Sequence, residues 1–525
     1  MTTSRRILAL LIAGGLLAGA SARAEGVLRV APHADLKVMD PHTNTATITA
    51  MYAHLVYDTL FAVDAAMVPH PQMVESYTVS DDRLAYAFVL RPGLRFHDDQ
   101  PVTARDVVPS IKRWMVRDGM GQKMAEFVAS MSVIDDKRFE IRLKEPFPFV
   151  EAALASSNGM VPVIMRAKDA ATDPYQMVTE TIGSGPFRFV RGEWVPGVKL
   201  VFEKNPGYVP RAEPPNGLAG GKVVKLDRVE WIVLPDPLTK ASALQKGEID
   251  MIDQLPLDQA PLLEKIPGVT VKPVNPLDNT GIIRPNHLFP PFDNPKARLA
   301  LALMVDQKEY LHAADGDDPK WWRECWSFFI CGTANGTEVG AEAVRKRDPA
   351  RAKQLLAEAG YKGEPVVMIA TREIPSIGAL GDVTAGNLKA IGVNVEIRES
   401  DWGTMLARRA KKDPPSAGGW NLFHTNLTSG TMYDPLTDFA LTTSCDRSGW
   451  FGWPCDEQAE ALRRDYVRAP DESARGATLE ALQRRLWQVV PFVPLGQYRQ
   501  PLAWRDNVRG MLTATINVYW NIEKK

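Results

Sequence analysis

Charge imbalance, cysteine and catalytic signatures are all scarce in this 525-residue chain. Lys and Arg number 62 and Asp and Glu 63, so there is no general pull toward nucleic acid or an anionic membrane surface. The eight histidines are scattered, and none has the H-x-x-x-H spacing of a helical zinc hydrolase. There is no G-x-S-x-G elbow and no G-x-G-x-x-G. Gly183-Ser184-Gly185 runs straight into Pro186 and lacks a strand–turn–helix context. Gly217 to Lys222 approximates a phosphate loop, but the spacing is short and Val223 follows the lysine where Ser or Thr is required. The pairs Asp81-Asp82, Asp98-Asp99 and Asp135-Asp136 sit in turn-like contexts and read as solvated turns rather than acid–base pairs. These absences leave no local case for an enzyme, a cofactor or a metal centre.

Long apolar runs are also missing, except at the start. Arg5 and Arg6 precede the apolar and glycine run Ile7 to Leu17, and Ala22-Arg23-Ala24 offers a small-residue cut site before Glu25. Residues 1–24 therefore read as a secretory signal peptide, with the mature chain exported to the periplasm. The run is short of the roughly 20 residues that a membrane anchor needs. An oxidising compartment makes disulfides the first expectation for Cys325, Cys331, Cys445 and Cys455. Pairing Cys325 with Cys331 and Cys445 with Cys455 closes two short loops at little entropic cost. A zinc site is the alternative, but no His lies near either pair and the spacing is not C-x-x-C.

What is present is regular alternation of strand and helix. Leu84, Tyr86, Phe88 and Leu90 share one face, as in a half-buried strand. Asp293-Asn294-Pro295 opens a helix expected from Lys296 to about Leu311. Asp348-Pro349 repeats the device for Ala350 to Ala359. A β-α-β unit follows: the strand Val366 to Thr371, a helix carrying Ile377, Leu380, Leu388 and Ile391, and a returning strand with Val393, Val395 and Ile397. Leu479, Leu482, Leu486, Val489 and Val490 form a last helical stripe, ended by Pro491. The pattern is that of an α/β protein.

Several phrases recur in an informative order. They are Met39-Asp40-Pro41 with Val56-Tyr57-Asp58-Thr59-Leu60-Phe61, then Leu90 to Asp98 with Thr103 to Val107, then Gly183 to Phe187 with Glu203 to Tyr208. Gly247-Glu248-Ile249-Asp250 and Phe292 to Arg298 follow. Together they resemble the extracellular solute-binding proteins of family 5, which include the dipeptide-, oligopeptide-, glutathione- and nickel-chelate-binding components of ABC importers. The resemblance implies an α/β, two-lobed periplasmic-binding-protein fold with two hinge crossings and a large extra subdomain in lobe I. Lobe I would span residues 25–277, with the subdomain at about 76–182; lobe II would span 278–495, and 496–525 would return to lobe I. The implied function is capture of a small solute, a peptide or peptide-like molecule, by a monomer that delivers it to an ABC permease in the inner membrane. A metal chelate, an opine-like conjugate or glutathione is the alternative ligand, and an exported hydrolase the alternative class.

The segment Trp402 to Pro435 is the expected wall of lobe II. In peptide-binding relatives an arginine seven residues after a tryptophan can meet the ligand, and Trp402 and Arg409 keep that spacing. A guanidinium fork suits a carboxylate. Arg409 is otherwise a solvated position in the basic run 408–412, and Trp402 a core residue. Asp434-Pro435 matches the family, but Thr431 stands where peptide binders carry the aspartate that holds the ligand's amino terminus. Tyr433-Asp434-Pro435 is also similar to the nickel-chelate branch; His424, Asn426 and Tyr433 then face the cleft or serve the fold. Met39, in the opening loop, borders the cleft or packs beneath it. Trp450-Phe451-Gly452-Trp453 is expected to pack a small satellite core inside the second cysteine loop.

Overall fold

The Leu84-to-Leu90 alternation becomes the strand Ala85–Leu90, with Tyr86, Phe88 and Leu90 buried and their neighbours half-exposed. In this computed structural model, which describes residues 26–525 except Asn158, it lies in a four-stranded antiparallel sheet with Val74–Val79, Arg138–Leu143 and Val128–Val133. The expected signal peptide lies outside the described residues. Among the described residues, no helix is long and apolar enough to cross a membrane.

Two larger sheets carry the rest. The first runs in the order Val269–Lys272, Leu502–Arg505, Met251–Ile252, Val27–Ala31, Arg228–Ile232, Lys199–Lys204, Phe187–Phe189. The second runs Trp322–Arg323, Val493–Tyr498, Asn279–Pro285, Leu422–Leu427, Val366–Ala370, Val395–Glu399. The chain leaves the first sheet at Lys272, enters the second at Asn279, and comes back between Tyr498 and Leu502. The β-α-β unit forms as expected: Val366–Ala370 pairs in parallel with Val395–Glu399 across the helix Pro375–Ala390. The helix expected to run unbroken to Leu311 is instead two, Pro295–Leu303 and Gln307–Asp315. Asp306 causes the break: its carboxylate accepts the Lys308 N–H at 3.1 Å and caps a new helix. Both short cysteine loops close as disulfides.

Three of the recurrent sequence phrases meet at one junction. A Cβ on Gly183 would stand 1.9 Å from the Val56 carbonyl oxygen, so only glycine permits the approach. The Gly185 N–H then donates to that same oxygen at 2.9 Å. The His97 N–H donates to the Gly183 carbonyl at 2.8 Å, and the Asn205 amide to the Gly185 carbonyl at 3.0 Å. The Tyr208 hydroxyl donates to Asp58 at 2.9 Å, and Lys222 donates to the other Asp58 oxygen at 2.7 Å. These contacts tie together elements of the first half of the chain.

Candidate functional site

The helix Trp402–Arg409 starts at Asp401, whose carboxylate accepts the Thr404 N–H at 3.1 Å. Two helical turns then bring Trp402 and Arg409 onto one face. That face borders a cavity of about 520 Å³ whose other wall comes from the first half of the chain, including Asp35, Lys37, Thr43, Asn44, Arg117 and Tyr175. A smaller adjoining cavity adds Thr45, Asn426, Thr431, Phe439 and Trp450.

Arg409 is the electrostatic centre. It is 3% exposed, yet has no carboxylate partner among the described residues. One guanidinium nitrogen donates to the Thr45 hydroxyl at 3.3 Å, and Nε has no partner. Its Cζ lies 4.7 Å from the Phe451 ring centre, 5.5 Å from Trp450 and 5.9 Å from Phe423. Each such contact contributes about 0.5–2 kcal/mol. Burial alone pulls the guanidinium down to about 9, still protonated at neutral pH. In the larger cavity Lys37, Arg117 and Arg409 outnumber Asp35, so the walls favour an anionic group.

Of the sequence-derived residues, Trp402, Arg409, Asn426 and Thr431 converge on these cavities. Asn426 donates to the Ser376 hydroxyl at 3.2 Å, and Thr431 shares a 3.1 Å contact with the Thr428 hydroxyl. The structure places the other four elsewhere. Met39 is buried in the core. His424 is buried with Nε2 2.7 Å from the Thr384 hydroxyl, and burial lowers it to about 3, so the ring is neutral. Tyr433 is half-buried, and its carbonyl accepts the Asn335 amide at 2.9 Å. Asp434 folds an Asx turn, accepting the Leu436 and Thr437 N–H groups at 2.7 and 3.1 Å.

The satellite-core expectation for Trp450 and Phe451 gives way to a different role. Trp450 donates to the Thr45 hydroxyl at 3.3 Å, and with Phe451 it boxes in Arg409. Thr45, Arg117, Tyr175 and Phe439 escaped the sequence reading because nothing local distinguishes them; only the opposing wall gives them a role. The Cys445–Cys455 bridge closes a 10-residue separation around these aromatics. Replacing both cysteines by serine should cost about 3 kcal/mol in the chain-entropy account, measured by denaturant titration, and should weaken ligand binding as the aromatic box loosens.

Among the described residues, four ion pairs join residues 26–277 to residues 278–495: Lys37–Asp401, Lys123–Glu460, Arg468–Glu145 and Lys320–Glu264. Lys37 reaches Asp401 at 2.5 Å with both side chains about two-fifths exposed, so the pair contributes about 0–1 kcal/mol. Lys123 reaches Glu460 at 3.1 Å with side chains 2% and 9% exposed. Burial raises the Glu460 carboxyl, but Arg463 and Lys123 more than offset that and hold it near 2. Its contribution is therefore complete above the ordinary 4.5 and is lost as pH falls toward 2. K123M leaves Glu460 paired with Arg463 at 2.7 Å, so it should loosen the contact between the halves by about 1.5–3 kcal/mol, read as a larger radius of gyration in solution scattering, while K37A leaves the radius nearly unchanged.

Comparison with known proteins fits this geometry. The model of bacterial extracellular solute-binding proteins, family 5 (middle), matches residues 68–450. A probable peptide ABC transporter periplasmic-binding protein of Sinorhizobium fredii is 40% identical over 100% of both chains. The glutathione-binding protein GsiB of Escherichia coli K12 is 25% identical over 96% of this chain and 95% of its own. Among solved structures, the binding protein AgaA of A. tumefaciens R10 with agropinic acid superposes with a TM-score of 0.79 at 22% identity, covering 95% of this chain and 99% of that one. DppA of Helicobacter pylori with the peptide STSA gives 0.78 at 22% identity, covering 95% and 98%. The fold is thus the two-lobed one of periplasmic binding proteins, and the chain belongs to family 5 of the bacterial extracellular solute-binding proteins.

Proposed function

We propose that this protein is the exported, monomeric binding component of an ABC importer, which captures a peptide or peptide-like solute between its lobes and presents it unreacted to an inner-membrane permease. Residues 1–24 direct export and are cleaved. Lobe I comprises 25–277 and the return 496–525, with 76–182 as its subdomain; lobe II comprises 278–495. The sheet composition supports that division, since the strands on either side of each crossing belong to different sheets. The single observation that carries the reading is Arg409, a buried guanidinium without an acid, aimed at a cavity between the halves. It binds a ligand carboxylate bidentately, with Trp402, Asn426 and Thr431 around it; Met39, His424, Tyr433 and Asp434 support the walls from behind. Closure desolvates these contacts and strengthens them. A micromolar ligand needs only about −8 kcal/mol, which a few such contacts supply.

The peptide assignment follows the S. fredii relative. A second reading, an opine-like conjugate, a metal chelate or glutathione, rests on Thr431. A neutral hydroxyl does not offset a buried ammonium, so recognition of an α-amino group is not built in at that position. Native mass spectrometry of the protein as purified should show a co-captured solute bearing a carboxylate. A thermal-shift screen of peptides, opines and chelates should then raise the melting temperature for one class. Chemical turnover of any of them, or a flat screen with no captured mass, overturns the proposal.

A further inference from the structure

A second cavity, of about 170 Å³, lies between the halves beside the chain crossings and shares no residue with the walls around Arg409. His33, Lys240 and Asp258 come to it from the first half, Asp315 and Glu373 from the second, and Gln500 from the returning segment. Asp315 ends the helix Gln307–Asp315. It is 5% exposed, and its carboxylate has no hydrogen bond or ion pair with any described residue. A helix C-terminus adds a further unfavourable dipole to a negative charge. An acid so placed calls for a countercharge, because an unpaired buried carboxylate costs several kcal/mol.

The basic side chains around the cavity have other hydrogen-bond partners. Lys240 donates to the Pro32 carbonyl at 2.8 Å, and His33 Nδ1 faces Asp253 at 3.0 Å. His312, at the rim, faces Asp317 at 2.9 Å. Asp258 and Glu373 bring two further carboxyl groups to the walls. A space of about 170 Å³ is several times the roughly 30 Å³ share of one water, enough for a small organic ion. We infer that this cavity is a second ligand site, taking a small organic ammonium ion whose N–H groups donate to Asp315. The inference stands independently of what binds at Arg409. Burial pushes the Asp315 carboxyl well above the ordinary carboxylate range, and a cation bound beside it draws it back down. Because the two walls come from opposite halves, the occupant favours the closed form.

The test titrates the full chain with ethylammonium chloride and with 1-propanol, a neutral molecule of similar size. Saturable binding of ethylammonium with a raised melting temperature, and no response to propanol, is the expected result. D315N should weaken ethylammonium about tenfold or more, and R409M should leave it unchanged. Equal responses to the two probes, or no response to either, overturn the inference in the unmutated protein alone. Undiminished binding by D315N, or loss of binding in R409M, overturns it as well.

Discussion

Replacing Arg409 by methionine should weaken carboxylate ligands by about 100-fold or more while leaving the protein at least as stable. The two halves of that expectation share one cause. A buried guanidinium without an acid pays a desolvation cost of several kcal/mol in the free protein. Methionine fills similar space among Phe423, Trp450 and Phe451 without that cost, and gives up only the cation–π contacts and the Thr45 hydrogen bond. A ligand carboxylate, by contrast, loses its only buried countercharge within these contacts. R409K keeps the charge but not the fork, and should fall between. The pH sign follows from the lowered value. The folded arginine gives up its proton near 9, and the unfolded one only at the usual, higher arginine value. Stability of the free protein therefore rises with pH between those values, and ligand affinity falls once the pH exceeds about 9. Calorimetry with the ligand found by mass spectrometry checks the affinity; thermal melts check the stability. A variant that binds normally, or that melts early, makes Arg409 a packing residue.

D58N should be the most destabilising conservative change outside the cleft. Asp58 and Lys222 each have side chains only 1% exposed, 2.7 Å apart, and the lysine also sits 4.9 Å over the Trp520 ring. Asparagine still accepts from Tyr208, but it leaves the ammonium buried without a countercharge. The expected loss is about 3–5 kcal/mol, read as a lower guanidinium midpoint. The double variant D58N/K222M should recover most of it, because both charges are then gone. Burial raises the Asp58 carboxyl, but Lys222 and Arg91, with the Lys222 and Tyr208 hydrogen bonds, more than offset it and hold it below 3.8. The stabilisation is therefore present above that pH and disappears as acid takes the carboxyl through its lower folded value. D58N should flatten the acid limb of the stability curve. Ligand affinity, set in the cleft, should not change.

Three of the sequence phrases that carried the family resemblance turn out to encode the junction around Asp58, Gly183, His97 and Asn205 rather than the ligand walls. They were legible because each is a local device: a glycine at a close approach, a cap, a turn. The β-α-β unit and the paired cysteines were legible for the same reason. The split at Asp306 shows the limit within one element, since the apolar run continues through a residue whose carboxylate caps a second helix.

By itself the sequence determined an α/β chain with near-neutral charge, two short disulfide loops and the family. It also placed Trp402 and Arg409 seven residues apart, because helical periodicity is a property of neighbours in the chain. Only the tertiary structure decided that Arg409 is buried rather than solvated, and that His424 belongs to the core. The partner that fixes Arg409, Thr45, lies 364 residues away, and Trp450 lies 405 residues from the same threonine. Burial and electrostatics depend on what the opposite half brings to the cleft, and no periodicity or cap within either half carries that information.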